Sequence, residues 1–181
     1  MADTLTFMMG KFEAVLPADR RYCRNHMWCM TQPPHPQPLS PGGETGEKGQ
    51  PPHPQPLSPG GERGEMQLRL GFTTYAVRLM QDVYFIDWEV SGGDAVALKQ
   101  KVGHIETSKA MSDLFAPIAG TIVQFNGQVL NDPSAINVDM YGSGWLFEMT
   151  GADAETLSVQ EYHAFLEAGW EKTQNMLKGH M

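Results

Sequence analysis

Lys109 is the residue whose surroundings point most directly to chemistry. It sits in His104-Ile105-Glu106-Thr107-Ser108-Lys109-Ala110-Met111-Ser112-Asp113-Leu114, preceded by a Gly92-Gly93-Asp94 turn and followed by Phe115-Ala116-Pro117-Ile118-Ala119-Gly120-Thr121-Ile122-Val123. Two strand-like stretches around a small polar segment place the lysine near a hairpin tip. An amine held out on a rigid turn is suited to covalent modification, because amide formation needs an accessible nitrogen on a backbone that does not yield. Glu106, Ser108, Ala110 and Asp113 are the expected supports of that loop. The two carboxylates either define it and guide a modifying enzyme or serve only as solvated turn residues.

A second group with chemical potential is Cys23, His26 and Cys29, which His35 or His53 could join. Thiolate and imidazole suit zinc, but the spacing is not a paired Cys-x-x-Cys knuckle. On one extended strand His26 would also point opposite the two cysteines. The cysteines would then lie about 20 Å apart on that strand, beyond disulfide reach unless the chain folds back. No metal is expected.

Composition narrows the classes. The 181 residues carry a formal net charge of -8 with 41% hydrophobic residues. That supports one modest core and argues against a nucleic-acid or anionic-membrane partner, which would require clustered Lys and Arg. No apolar run approaches the roughly 20 residues that span a bilayer, and the first residues lack a basic segment followed by an apolar core, so a cytoplasmic protein with reduced thiols is expected.

The elements that must position Lys109 are legible in part. Tyr22 to Met30 reads as one strand and Met66 to Gly71 as another, and they are expected to pair as a hairpin. Between them Gln-Pro-Pro-His-Pro-Gln-Pro-Leu-Ser-Pro-Gly-Gly-Glu begins at Gln32 and again at Gln50. Ten of the thirteen prolines fall in 32–65, with little to bury, so a disordered, polyproline-like segment spliced into the hairpin turn is expected. Loop closure grows only logarithmically with length, so such an insert costs about 1 to 2 kcal/mol more than a short turn. Near-identical copies favour a neutral duplication over a Pro-rich docking site.

Thr73 or Thr74 can cap a short helix through Leu79, and Val83 to Trp88 reads as a buried strand. Further strands are expected at 95–98, 102–106, 114–116, 121–126 and 145–149, and a one-turn helix with Asp132 as cap and Pro133 at its first position. Gly142 and Gly144 permit positive φ ahead of Trp145, which can pack. Ser158-Val159-Gln160-Glu161 is a capping-box sequence. Tyr162, Phe165, Leu166 and Trp170 follow at helical spacing, so a C-terminal helix should cover one side of the sheet core.

The ordered set Leu70-Gly71-Phe72-Thr73-Thr74-Tyr75-Ala76, Asp82-Val83-Tyr84-Phe85-Ile86, Gly93-Asp94-Ala95-Val96, Glu106-Thr107-Ser108-Lys109-Ala110, Ala116-Pro117-Ile118-Ala119-Gly120, 131–137 and Tyr141-Gly142-Ser143-Gly144-Trp145-Leu146-Phe147 resembles the H proteins of the glycine cleavage system. Arg21-Tyr22-Cys23-Arg24-Asn25-His26-Met27-Trp28 looks like that family's first strand, with Cys23, Met27 and Cys29 where polar or β-branched residues are usual. The resemblance implies a mainly β, barrel-sandwich hybrid of the lipoyl/biotinyl-carrier type with short helices and a C-terminal helix. It would be one domain over 1–181, interrupted at 32–65.

The resemblance further implies lipoate in amide linkage to Lys109, and a carrier rather than an enzyme. The carrier would shuttle the aminomethyl group of glycine from a pyridoxal-phosphate-dependent glycine decarboxylase to a tetrahydrofolate-dependent aminomethyltransferase. Dihydrolipoamide dehydrogenase, and a lipoate ligase or lipoyl/octanoyl transferase, complete the implied partners. Thr107-Ser108 before the lysine lies between the Ser-Val usual in H proteins and the Thr-Asp usual in acyltransferase lipoyl domains. An H-like carrier of another pathway (sulfur metabolism or a lipoyl relay) or a nonfunctional paralogue is the alternative. Biotin carriers fit less well, because they place methionines directly on both sides of the lysine and Met111 is one residue too far.

Overall fold

The computed structural model describes residues 3–33, 66–152 and 155–179. The expectations for the repeat, and for His35 and His53, fall outside the described residues. In chain order the strands begin with β1 (Thr4–Met9), β2 (Phe12–Pro17), β3 (Arg21–Tyr22), β4 (Met27–Thr31) and β5 (Met66–Phe72), followed by helix α1 (Thr74–Met80). Next come β6 (Val83–Trp88), β7 (Ala95–Val96), β8 (Lys101–Thr107), β9 (Met111–Phe115) and β10 (Gly120–Phe125). Helices α2 (Gly127–Asn131) and α3 (Ser134–Val138), strand β11 (Phe147–Gly151) and helix α4 (Val159–Lys178) complete the chain.

Alternation sets the layers. Along β8, Val102, Ile105 and Thr107 are buried while Lys101 is exposed, and in β5 Leu68, Leu70 and Phe72 point inward. A six-stranded sheet in the order β3-β4-β5-β11-β10-β7 packs these side chains against a three-stranded sheet, β6-β8-β9. The sandwiched core includes Leu70, Phe147, Met149, Ile122, Ile105, Val102 and Leu114. Each such side chain contributes roughly 1.5 to 3 kcal/mol on burial.

The expected pairing across the repeat is present. β4 and β5 are antiparallel with Met27 opposite Phe72 and Thr31 opposite Leu68, and Gln32 N donates to Gln67 O at 2.8 Å. The expected single strand from Tyr22 to Met30 is instead two strands joined by a tight turn. Cys23 N donates to Met27 O at 2.7 Å, and His26 takes φ 66°, a left-handed conformation that histidine tolerates better than most residues. The chain therefore folds back, and Cys23 and Cys29 meet as hydrogen-bonded thiols in the core; that bond and burial push the Cys23 thiol well up. β6 is not buried on both faces either: Val83 and Ile86 point inward, whereas Tyr84, Phe85 and Asp87 face solvent.

Two of the three expected caps form. Thr73 Oγ1 accepts from Ala76 N at the start of α1. At α4, Ser158 Oγ accepts from Glu161 N, and Glu161 Oε2 accepts from Ser158 N. The third does not form as expected: the cap of α3 is Pro133, not Asp132, and Ser134 is the first helical residue, while Asp132 Oδ1 accepts from Ser134 N in a side-chain turn one step earlier.

The C-terminal helix covers one side of the large sheet, as expected. Its Tyr162, Leu166 and Trp170 pack with Phe7, Leu16, Tyr22, Trp28 and Tyr75 in a second cluster between the β1–β2 hairpin and the back of the large sheet. Tyr22 and Tyr162 stack with centroids 4.6 Å apart. His26 Nδ1 lies 2.9 Å from the Tyr162 hydroxyl, so this histidine joins the β3–β4 turn to α4.

That junction makes stability sensitive to acid. Burial lowers the His26 pKa to about 4, below the roughly 6.5 of an unfolded histidine. The unfolded chain takes the proton first, so this contribution is complete above pH ~6.5 and lost as the pH falls toward the folded value. At roughly 1.4 kcal/mol per pH unit the loss reaches about 3 kcal/mol. Urea midpoints measured from pH 7 to 4.5 should fall steeply for the wild type and less for His26→Asn, which also tolerates positive φ.

Candidate functional site

Lys109 stands at the tip of the β8–β9 hairpin. The hairpin closes with Thr107 N donating to Ala110 O at 3.0 Å. The buried Thr107 hydroxyl organises the rest: it donates to Ala110 O at 3.1 Å and accepts from the Lys109 and Ala110 amides, each at 3.3 Å. Such a hydroxyl substitutes for a strand partner where the chain reverses.

The tip is also tied sideways. Ser108 N donates to Asp82 O at 3.0 Å, just beyond α1, and Ser108 Oγ lies 3.4 Å from Gln81 Oε1. Gln81 itself takes φ 62°, the reversal by which the chain leaves α1 and enters β6. The backbone is thereby fixed on two sides while Ser108, Lys109 and Ala110 stay exposed. The Lys109 Nζ makes no ion pair or hydrogen bond among the described residues. An amide-forming group therefore fits here without displacing a partner.

Glu106 and Asp113 occupy successive rows of the outer sheet face. Glu106 is half-buried between Phe85 and Met111, adjacent to the tip. Asp113 lies in the row with Asp87 and His104, and its carboxylate pairs with Lys101 Nζ at 3.0 Å. Lys101 also meets Glu89 at 2.9 Å, and these two carboxylates, Glu89 first, raise its pKa. Glu106 is thus next to the lysine, whereas Asp113 contributes charge lower on the same face. Sequence reasoning assigned no role to Thr107, Gln81 or Asp82, although a threonine two residues before a turn lysine carries a recognisable turn-forming signal.

The expected positive φ at Gly142 and Gly144 is not observed; among the described glycines only Gly10 and Gly93 have it. Close approach explains them instead. A Cβ on Gly144 would lie 2.6 Å from Ala135 O, and one on Gly142 would strike the Asp139 carboxylate. Trp145 packs beneath the Arg69 guanidinium, 4.5 Å from its carbon. Cys23 and Cys29 face each other in the core and His26 bonds Tyr162, and no cluster of metal-ligating residues occurs among the described residues.

The sequence model of the family described as Glycine cleavage H-protein matches residues 62–168. A glycine cleavage system H protein from Streptomyces coelicolor is 39% identical over 102 residues, covering 55% of this chain and 80% of the relative. One from Nocardia farcinica is 34% identical over 105 residues, 58% and 79% of the two chains. The crystal structure of a glycine cleavage system H protein from Mycobacterium marinum superposes with a TM-score of 0.57 at 29% identity, covering 82% of this chain and 97% of that one.

Thr107→Val tests the tip geometry, since it keeps the shape and removes the hydroxyl. Stability should fall by about 1 kcal/mol in urea unfolding. Backbone order parameters at Lys109 and Ala110 should drop while those of β5 stay unchanged; unaltered order at the tip would mean the hydroxyl does not hold it.

Proposed function

The chain belongs to the glycine cleavage H-protein family, and from that premise we propose that Lys109 carries its lipoyl group in amide linkage. The protein is the lipoyl carrier of glycine cleavage. The observation that supports Lys109 is its exposed amine, unpaired among the described residues, on a backbone fixed by Thr107 and Asp82. When attached, the dithiolane supplies a sulfur that receives the aminomethyl group of glycine and is later returned to the oxidised state.

The chain's own contribution is placement. β8 and β9 keep their inner side chains in the core through Ile105 and Leu114, so the hairpin projects from an immobile base. Glu106 beside the tip offers a carboxylate to the enzyme that attaches the group. Ser108 and Ala110, small and exposed, leave room for that enzyme's active site to close over the lysine.

The partners in this reading are the pyridoxal-phosphate decarboxylase, the aminomethyltransferase, dihydrolipoamide dehydrogenase and a lipoate ligase or lipoyl/octanoyl transferase. The carrier performs no catalytic step of its own. It forms one domain interrupted at 32–65, and it acts in the cytoplasm; no described helix is long and apolar enough to cross a membrane.

Intact mass and peptide mapping of the protein from a lipoate-replete host should place one lipoyl increment on the Lys109 peptide. Lys109→Arg should lack it and support no glycine decarboxylation with the purified decarboxylase, while unfolding at the same urea concentration as the wild type. An increment on another lysine, or full activity of the variant, would remove Lys109 from the role.

A further inference from the structure

The three-stranded sheet has two edges, β9 and β6, and β6 runs beside the strand that leads into the tip. Val83, at its first position, is almost fully buried. Its backbone groups point away from β8, where no strand among the described residues takes them, and a buried group left unmet would cost about the desolvation penalty of a lost hydrogen bond. A single side chain takes both. Val83 N donates to Asn137 Oδ1 at 3.0 Å, and Asn137 Nδ2 donates to Val83 O at 2.9 Å.

We propose that Asn137 is a positioning residue for the Lys109 tip, its carboxamide acting as a one-residue strand that clamps the start of β6. The inference rests on Lys109 being the carrier lysine. The connection to the tip is short. Asp82, the residue before Val83, turns its carbonyl the other way and accepts from Ser108 N, as the alternation of an antiparallel pair requires. Val83 itself stands opposite Thr107, whose hydroxyl holds the Lys109 amide.

The clamp is itself anchored. Ala135 and Ile136 are buried, Asp139 N donates to Ala135 O, and the Asp139 carbonyl accepts from the amides of Gly142 and Gly144. The orientation of the tip therefore traces through Ser108, Asp82, Val83 and Asn137 to the fixed loop that leads into β11. Asparagine is needed specifically, because the site requires one donor and one acceptor in a single plane. Aspartate has the same shape but would set a second oxygen against Val83 O.

The test compares wild type, Asn137→Ala and Asn137→Asp by three measurements. Amide exchange at Ser108 should accelerate about tenfold, as for the loss of a net hydrogen bond, while Leu70 and Met149 in the large sheet keep their protection. Lipoyl attachment by a purified lipoate ligase should slow about tenfold in kcat/KM for the same reason. Acetylation of Lys109 by N-hydroxysuccinimidyl acetate, which needs only an exposed amine, should stay within about twofold.

Unchanged exchange at Ser108 would overturn the proposal. So would parallel acceleration at Leu70, or outright unfolding of both variants, because either would give Asn137 a role in the whole fold rather than at the tip. If the wild type accepts no lipoyl group at Lys109, the carrier reading fails, and the exchange result still decides whether Asn137 orients the tip.

Discussion

The large sheet turns on one carboxylate. Glu148, the second residue of β11, has no exposed surface, and a charge there is tolerated only if it is neutralised and hydrogen-bonded. Arg69 from β5 meets one oxygen through Nε at 2.9 Å and through its terminal nitrogen at 2.8 Å. Gln67 and Gln124 donate to the other at 3.1 and 2.7 Å. These four residues come from three neighbouring strands, so the carboxylate specifies how those strands are aligned. A one-residue slip of either neighbour would bury the charge without its donors, at a cost of several kcal/mol.

Two irregular features become intelligible from that constraint. β10 carries a bulge between Ile122 and Gln124, and without it Val123 would stand opposite Glu148. The bulge brings Gln124 there instead, a re-aiming of a side chain that bulges commonly perform. Trp145 lies under the guanidinium of Arg69 and restricts its motion, which explains an aromatic residue at that point better than core burial does. Gly144 lets the chain pass close to Ala135 O on the way to Trp145, so the same loop serves both the charge network and the α3 anchor.

How far the sequence was legible depended on the range of each interaction. The Thr73 cap and the Ser158–Glu161 capping box are contained within four residues, and both form as the spacing requires. The paired strands flanking the repeat, and the lysine between β8 and β9, were readable from alternation and from ordered motifs. The turn at His26 was not, because it uses a left-handed histidine with no glycine or proline to mark it. Tyr84 and Phe85 read as core by their apolarity but face solvent, and no local signal distinguishes an exposed aromatic on the small sheet from a buried one. Asn137 lies 54 residues from Val83, and its clamp exists only because the fold brings α3 to the β6 edge.

The tandem repeat enters at the end of the sheet that leads away from the lysine. β5 begins at Met66, opposite Gly151, and its far end, Phe72, runs into α1, whose exit at Gln81 touches Ser108. The residues that orient the tip therefore follow β5 in the chain and approach from the end opposite the splice. On the splice side the ladder is already closed: Thr31 stands opposite Leu68, and Gln32 N donates to Gln67 O. Gln67 is also a donor to Glu148, so the residue that ends the β4–β5 ladder belongs to the network that fixes the sheet's register. The described residues that flank the repeat are thus joined to the network that fixes the register of the large sheet.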